Sequence, residues 1–224
     1  MKIRIITALL TIILLCSSCT TMLLKMYLND PKVENNRTIK EFQTRNNFST
    51  ENSLILQIDS TQIEKSILQL MNRGFYVFDS NGNHLCYDSE ETCQGFQFTK
   101  FLEDTENTFK RCASDSLSLQ KILAKTNDLN GNSTNIETFN KADYYVVSYW
   151  QKFLGGKFEY KQSVKWMEDE LKKNGTNKKF TFIKINTDLQ ENWGLIPNQR
   201  AKLSFQRNGD NSVTIQIKEL PFKK

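Results

Sequence analysis

The spacing of apolar and polar residues predicts folded elements from about residue 54 onward. In the first half of the chain, apolar residues recur with helical spacing in three segments, and in a fourth segment two short apolar runs lie on either side of a turn. These patterns predict a helix, a β-hairpin and two further helices over 61–72, 75–87, 96–109 and 117–123. The stretch Asp79-Ser-Asn-Gly82 has the composition of the hairpin turn. Together the four elements predict an α+β unit over 54–135.

The second half of the chain carries the pattern of an α/β domain over 136–224. The run from Tyr144 to Trp150 is apolar or aromatic at nearly every position, which is typical of a buried central strand. A helix over 159–173 and a strand over 180–185 follow it, and this order predicts a right-handed βαβ unit with parallel strands. The tail predicts a hairpin of 202–206 and 212–218, turned at Asn208-Gly209.

The N-terminus has the pattern of a secretion signal. Lys2 and Arg4 precede an apolar stretch of 11 residues over 5–15, and Ser17-Ser18-Cys19 follows it. This order resembles a bacterial lipoprotein signal over 1–19, which implies that Cys19 receives the fatty acyl chains (palmitate among them) and becomes the new N-terminus. A transmembrane anchor over 5–24 and a plain secreted protein are the alternatives. All three place the body outside the cytoplasm.

The resemblance to lipoproteins sets the expected location of the protein. The polar, Asn-rich residues 20–53 are predicted to form a tether whose later part docks on the body. We expect the chain to lie in the bacterial cell envelope, held to a membrane by its lipid and facing the periplasm. The body then lies in an oxidising compartment, where disulfides persist.

Composition excludes several classes of function. The formal net charge is +5, and no run of Lys or Arg is interleaved with aromatic residues, so a nucleic-acid partner is not expected. His84 is the single histidine, which excludes a histidine-rich metal site and restricts any Ser–His or Cys–His pair to this residue. We therefore expect no metal and no other cofactor. His84 itself is predicted to lie on a strand surface, and the acidic run 168–170 on a solvated helix face.

The second half resembles the thioredoxin family. Trp150, Phe153 and Gly155 stand where the family has the Trp, the aromatic residue and the Gly of W-A-x-W-C-G-P-C. The segment 182–188 resembles the family's strand that ends in Asn-x-Asp, and Ile196-Pro197 resembles its Ile-cisPro pair. The resemblance implies a thioredoxin-like three-layer α/β/α sandwich in the C-terminal part, with the α+β unit as an N-terminal extension.

One departure from the family changes the expected function. Leu154 and Lys157 occupy the positions of the two redox cysteines, so disulfide exchange cannot occur there. The resemblance then implies a redox-inactive, non-enzymatic binding or accessory module that holds an unknown protein or peptide partner. The candidate groove consists of Phe153, Leu154, Gly155, Gly156, Lys157, Ile196 and Pro197.

Three further cysteines leave alternatives open. Cys86 and Cys93 lie seven residues apart at the end of the predicted hairpin, which makes them a possible disulfide; a pairing that involves Cys112, or no disulfide, remains open. A thiol–disulfide oxidoreductase that uses Cys86, Cys93 or Cys112 is therefore the enzymatic alternative. A purely structural envelope protein is the third hypothesis.

Overall fold

The computed structural model describes residues 29–63, 74–89, 93–112, 117–153, 163–174, 178–207 and 213–223. Most of the predicted helix 61–72, the lipidation residue Cys19, the loop 154–157 and the turn at 208–209 lie outside them. The α-helices of the described part are α1 Asn36–Arg45, α2 Gln94–Thr108, α3 Leu119–Leu123 and α4 Val164–Asn174. Its strands are β1 Ser53–Leu56, β2 Phe75–Asp79, β3 His84–Tyr87, β4 Phe109–Arg111, β5 Thr126–Asp128, β6 Tyr144–Trp150, β7 Phe180–Asn186, β8 Lys202–Arg207 and β9 Val213–Lys218.

One mixed sheet of seven strands organises the fold, in the order β4-β3-β2-β6-β7-β1-β5. Strand β6 occupies the middle of this order and pairs in parallel with β7, which pairs in parallel with β1. The hairpin β2–β3 pairs with β6 in the antiparallel direction, and β4 and β5 are the antiparallel edges. The predicted central strand, βαβ unit and hairpin are therefore confirmed, and the fold class is α/β.

Side chains of successive strand residues point to opposite faces, and both faces of the sheet are covered. In β6, Val146 contributes to the core on one face and Val147 to the core on the other. The first face is covered by α1, α2 and α4, and the second by α3, the segment 189–201 and the β8–β9 hairpin. Each fully buried aliphatic or aromatic side chain contributes about 1.5–3 kcal/mol to folding.

Local sequence chemistry determines where several elements begin. The Asn35 carboxamide accepts a hydrogen bond from the Thr38 N–H at 3.0 Å, and the Thr38 hydroxyl caps Asn35 in return, so α1 starts at Asn36. The Asp79 carboxylate accepts hydrogen bonds from the N–H groups of residues 81 and 83, each at 2.9 Å. Together with Gly82 at φ 80°, these bonds form the β2–β3 turn.

The structure corrects the predicted domain boundaries. The later part of the predicted tether 20–53 docks on the body as expected, since segment 31–35 pairs with residues 189–201 and α1 packs on the sheet; the described residues 29–53 are therefore part of the body and not a tether. The predicted units 54–135 and 136–224 share the seven-stranded sheet and hence one folded body. The predicted tail hairpin is confirmed, but it forms a two-stranded sheet of its own. In the part of the chain that the structure describes, no helix has the length and apolar character needed to cross a bilayer.

Candidate functional site

The described residues of the predicted groove lie beyond the carboxyl ends of β6 and β7. Phe153 is 4% exposed and packs in the core, so its side chain does not line a groove. Ile196 is half-buried and Pro197 is exposed. No peptide bond of the described residues is cis, so the Ile196–Pro197 bond is trans. Leu154, Gly155, Gly156 and Lys157 lie outside the described residues, and the groove they would form stays a prediction.

A buried polar network occupies this end of the sheet. The Asp188 carboxylate accepts hydrogen bonds from the Lys152 N–H at 2.9 and 3.0 Å and from the Asn186 side-chain amide at 2.7 Å. Burial raises the pKa of Asp188 to about 6, and the charge of Glu34 acts in the same direction against the hydrogen bonds from Asn186 and Lys152. The Asn-x-Asp segment singled out in the sequence therefore fixes the loop that follows β6.

The N-terminal segment closes this network from outside. The Lys152 ammonium lies 2.6 Å from the carboxylate of the buried Glu34. The Glu34 N–H donates to the Leu189 carbonyl at 2.7 Å, and the Glu191 N–H donates to the Glu34 carbonyl at 3.0 Å. These bonds place Glu34 over the chain that leaves β7. The network holds the N-terminal segment on the body, so we assign it a role in stability and not in binding.

A lysine-rich cleft lies at the opposite end of the sheet's parallel strands, near the amino ends of β1 and β7. Its volume is about 430 Å³. The cleft is lined by five lysines, two glutamates and a floor of mixed polarity. The charged residues are Lys141, Lys172, Lys178, Lys179, Lys184, Glu51 and Glu168, and the floor consists of Ala142, Leu171, Phe180, Phe182, Asn52, Asn140 and Thr181. The excess of cations makes the cleft attractive to an acidic ligand.

An ion pair lies at the inner end of the cleft. Lys184 is only 1% exposed, and its ammonium lies 3.2 Å from the Glu168 carboxylate and 5.9 Å from the centre of the Phe182 ring. Lys172 binds the same carboxylate oxygen from the rim at 3.3 Å. Burial lowers the pKa of Lys184, while its pairing with Glu168 opposes the shift. Glu168 thus contacts two lysines with one negative charge, so the pair of lysines keeps a net positive charge, and Lys178 pairs with Glu106 outside the cleft.

The sequence did not reveal this cleft. Strand alternation places Lys184 on the same face as Phe182, but the pattern does not show that α4 covers this face. The ion pair of Glu168 with Lys172 follows from their i,i+4 spacing on α4. The prediction of a solvated helix face is wrong for Glu168, which is buried and pairs with the buried Lys184 ammonium.

The structure also corrects the predicted disulfide. Cys86 on β3 pairs with Cys112, the residue after β4, and Cys93 lies exposed just before α2, outside this bond. The cause is β4, a strand that the sequence pattern did not predict; its first residue, Phe109, was assigned to the end of the predicted helix 96–109. Its pairing with β3 brings Cys112 next to the hairpin. The Nδ1 atom of His84, which lies on β3 as predicted, is 3.3 Å from the Cys112 Sγ atom.

Comparison with known proteins gives no match to a family model, a curated protein or a solved structure.

Proposed function

We propose that the chain is a lipid-anchored binding protein of the bacterial cell envelope, and that its lysine cleft takes up an acidic peptide segment of a partner protein. The observation that carries the proposal is the cleft itself: it is lined by five lysines and two glutamates, and Lys141 and Lys179 remain in excess after Lys172 and Lys184 pair with Glu168 and Lys178 pairs with Glu106. Acidic side chains of the peptide would form ion pairs with the lysines, and its apolar side chains would pack on the apolar residues of the floor. The proposed role is non-enzymatic.

The size of the cleft favours a peptide over a folded surface. A volume of about 430 Å³ accommodates a few side chains or a small molecule, as binding clefts of this size do. Lysines 141, 172 and 179 are exposed at the rim, where they attract a ligand as it approaches. Phe180 and Phe182 provide the apolar contact that retains it.

A thioredoxin-like origin of the fold belongs to the same proposal. It is supported by the central strand, the helix α4 and the parallel strand β7 that follow one another as the resemblance implies. Leu154 and Lys157 supply no thiol, so the module is redox-inactive at this position. A partner that binds the loop over 154–157 is compatible with this view, but the buried Phe153 favours the lysine cleft as the main contact.

The lipid anchor has a direct test. Intact mass of the membrane-bound protein is expected to equal that of residues 19–224 plus diacylglyceryl and acyl chains on Cys19. A Cys19→Ser variant is expected to lose the lipid mass and the membrane attachment together. A wild-type protein that retains residues 1–18 would contradict the anchor and favour the transmembrane alternative.

Fluorescence anisotropy tests the cleft. The probe is a fluorescein-labelled peptide of alternating Glu and Phe, titrated with the full-length protein in detergent. The double variant Lys141→Glu/Lys179→Glu is expected to weaken binding at least about tenfold, or about 1.4 kcal/mol. The control Lys125→Glu/Lys218→Glu changes net charge equally, and both of its lysines are exposed and outside the cleft. An equal loss in both variants means that only overall charge attracts the peptide, and refutes the cleft as the site.

One observation favours a second candidate function, a thiol–disulfide oxidoreductase. Cys86 is exposed in its disulfide with Cys112, and the His84 imidazole next to Cys112 is a base that can take up and return the thiol proton. Reduction of insulin by a dithiol, catalysed by the full-length protein, is the assay. Turnover that disappears in Cys112→Ser would establish the oxidoreductase, and turnover at background level would exclude it.

A further inference from the structure

Three side chains with soft metal-binding atoms converge at the β3–β4 edge of the sheet. The Nδ1 atom of His84 and the Sγ atoms of Cys86 and Cys112 all lie within 4.8 Å of one another. Strand pairing places them together: Cys86 lies opposite residue 110, and the Cys112 N–H donates to the His84 carbonyl at 3.3 Å. Two thiolates and one imidazole are a set of ligands that zinc uses in proteins.

We infer that this cluster is a redox-gated zinc site: a disulfide when oxidised, and a Cys₂His ligand set for Zn²⁺ when reduced. The inference does not depend on the proposed peptide-binding function. In a tetrahedral site, zinc bonds of about 2.3 Å to sulfur and 2.0–2.1 Å to nitrogen place the two ligand atoms about 3.6 Å apart. The observed separation of the His84 Nδ1 and Cys112 Sγ atoms is 3.3 Å, close to that value.

The surroundings of the cluster fit a metal site. The His84 ring is held between aromatic neighbours, with its centre 5.6 Å from that of Tyr76 and 5.3 Å from that of Phe78. The β3–β4 pairing positions the ligands through backbone hydrogen bonds that do not involve the sulfurs, and we expect this pairing to persist on reduction. Cys86 is exposed, which gives zinc and a water molecule access to the fourth position.

The chemical steps balance. A dithiol reductant breaks the Cys86–Cys112 bond and becomes a cyclic or protein disulfide, and its two protons are transferred to the cysteine sulfurs. Zn²⁺ then replaces these two protons, which leave to solvent, and the neutral His84 Nδ1 atom donates a lone pair to the metal. A small-molecule or protein disulfide re-forms the Cys86–Cys112 bond by thiol–disulfide exchange: it accepts the two electrons, leaves as two thiols after taking up two protons from solvent, and the zinc is released.

A cobalt titration tests the inference. The parent is the full-length chain in detergent with Cys16→Ser, Cys19→Ser and Cys93→Ser, so that Cys86 and Cys112 are its only cysteines. It is reduced with dithiothreitol, freed of reductant without oxygen, and titrated with Co²⁺. We expect one Co²⁺ per chain with thiolate-to-cobalt absorption, displaced by an equimolar amount of Zn²⁺, and no absorption from the oxidised parent.

A histidine variant separates a built site from a chance pair of thiols. His84→Ala in the same parent keeps both thiols and is expected to bind zinc at least tenfold more weakly, measured by competition with a chromogenic zinc chelator. Circular dichroism of the oxidised and reduced proteins reports whether the hairpin survives reduction. Absence of cobalt absorption in the reduced parent, undiminished affinity in His84→Ala, or loss of the folded spectrum on reduction would each overturn the inference.

Discussion

Replacing Asp188 by Asn should change how the stability of the protein depends on pH. The Asp188 carboxylate is wholly buried at the end of β7, where it accepts hydrogen bonds from the backbone of Lys152 and the side chain of Asn186. Asn has nearly the same shape and keeps one acceptor oxygen for the Lys152 N–H. It cannot ionise, so the comparison isolates the cost of the buried charge.

The magnitude follows from the pKa of Asp188. Burial raises it to about 6 from its ordinary value of 3.8, so the folded protein binds the proton more tightly than the unfolded chain. Stability is therefore highest when the group is protonated, below about pH 4, and falls as the pH rises from there to about 6. A pKa difference of this size corresponds to about 3 kcal/mol. Relative to Asp188→Asn, the wild type should lose about that much free energy of unfolding between pH 3.5 and pH 7.5.

Urea unfolding followed by tryptophan fluorescence at several pH values measures this difference. Asp128→Asn is the contrasting control. Burial of Asp128 favours a higher pKa, but hydrogen bonds from Asn132 and from the backbone of 130–132 outweigh it, so the pKa of Asp128 is lowered. Its carboxylate adds stability above the ordinary pKa, with the opposite pH dependence. A free-energy difference between wild type and Asp188→Asn that stays constant from pH 3.5 to pH 7.5 would refute the reasoning.

Two further predictions concern the ion pair and the disulfide. Lys184→Met should lower the free energy of unfolding by about 3 kcal/mol, because it leaves the buried Glu168 with only Lys172 as a partner. This value is the low end for a broken buried pair. The double variant Lys184→Met/Glu168→Leu should recover most of the lost stability. Urea unfolding measures both, and a double variant no more stable than Lys184→Met would contradict the argument. Cys86→Ser/Cys112→Ser should cost about 3.5 kcal/mol by the chain-entropy estimate for cysteines 26 residues apart. An unchanged urea midpoint would mean that the two strands are already held together without the bond.

The strands were predictable because their side chains carry the signal locally. The run 144–150 is apolar on both sides, and only a strand covered on both faces buries such a run. The Asp79–Gly82 turn likewise needs nothing beyond its own residues, since the Asp79 side chain binds the N–H groups inside it. These elements coincide with the prediction to within one or two residues.

The remaining features depend on partners distant in the sequence. The polar segment 29–35 carries no apolar periodicity, and it is ordered by hydrogen bonds to residues 189–201. The three-residue strand β4 is too short to show a strand pattern in the sequence, so its position next to β3, and with it the pairing of Cys86 with Cys112, could not be predicted. The lysine cleft is invisible for the same reason: whether Lys184 is buried is decided by α4 packing over its face of the sheet.

The position of β7 in the strand order has a consequence for how the protein acquires its structure. Of the seven strands in the sheet, β7 is the last along the chain, yet it lies between β6 and β1. A nascent chain that ends before residue 180 can form only two separate pieces, β4-β3-β2-β6 and β1-β5. N-terminal fragments that lack β7 therefore retain unpaired edges on both pieces, which are templates for aggregation. The sheet is completed only when β7 pairs with β1, which lies more than 120 residues earlier in the sequence, and such long-range pairing is intrinsically slow.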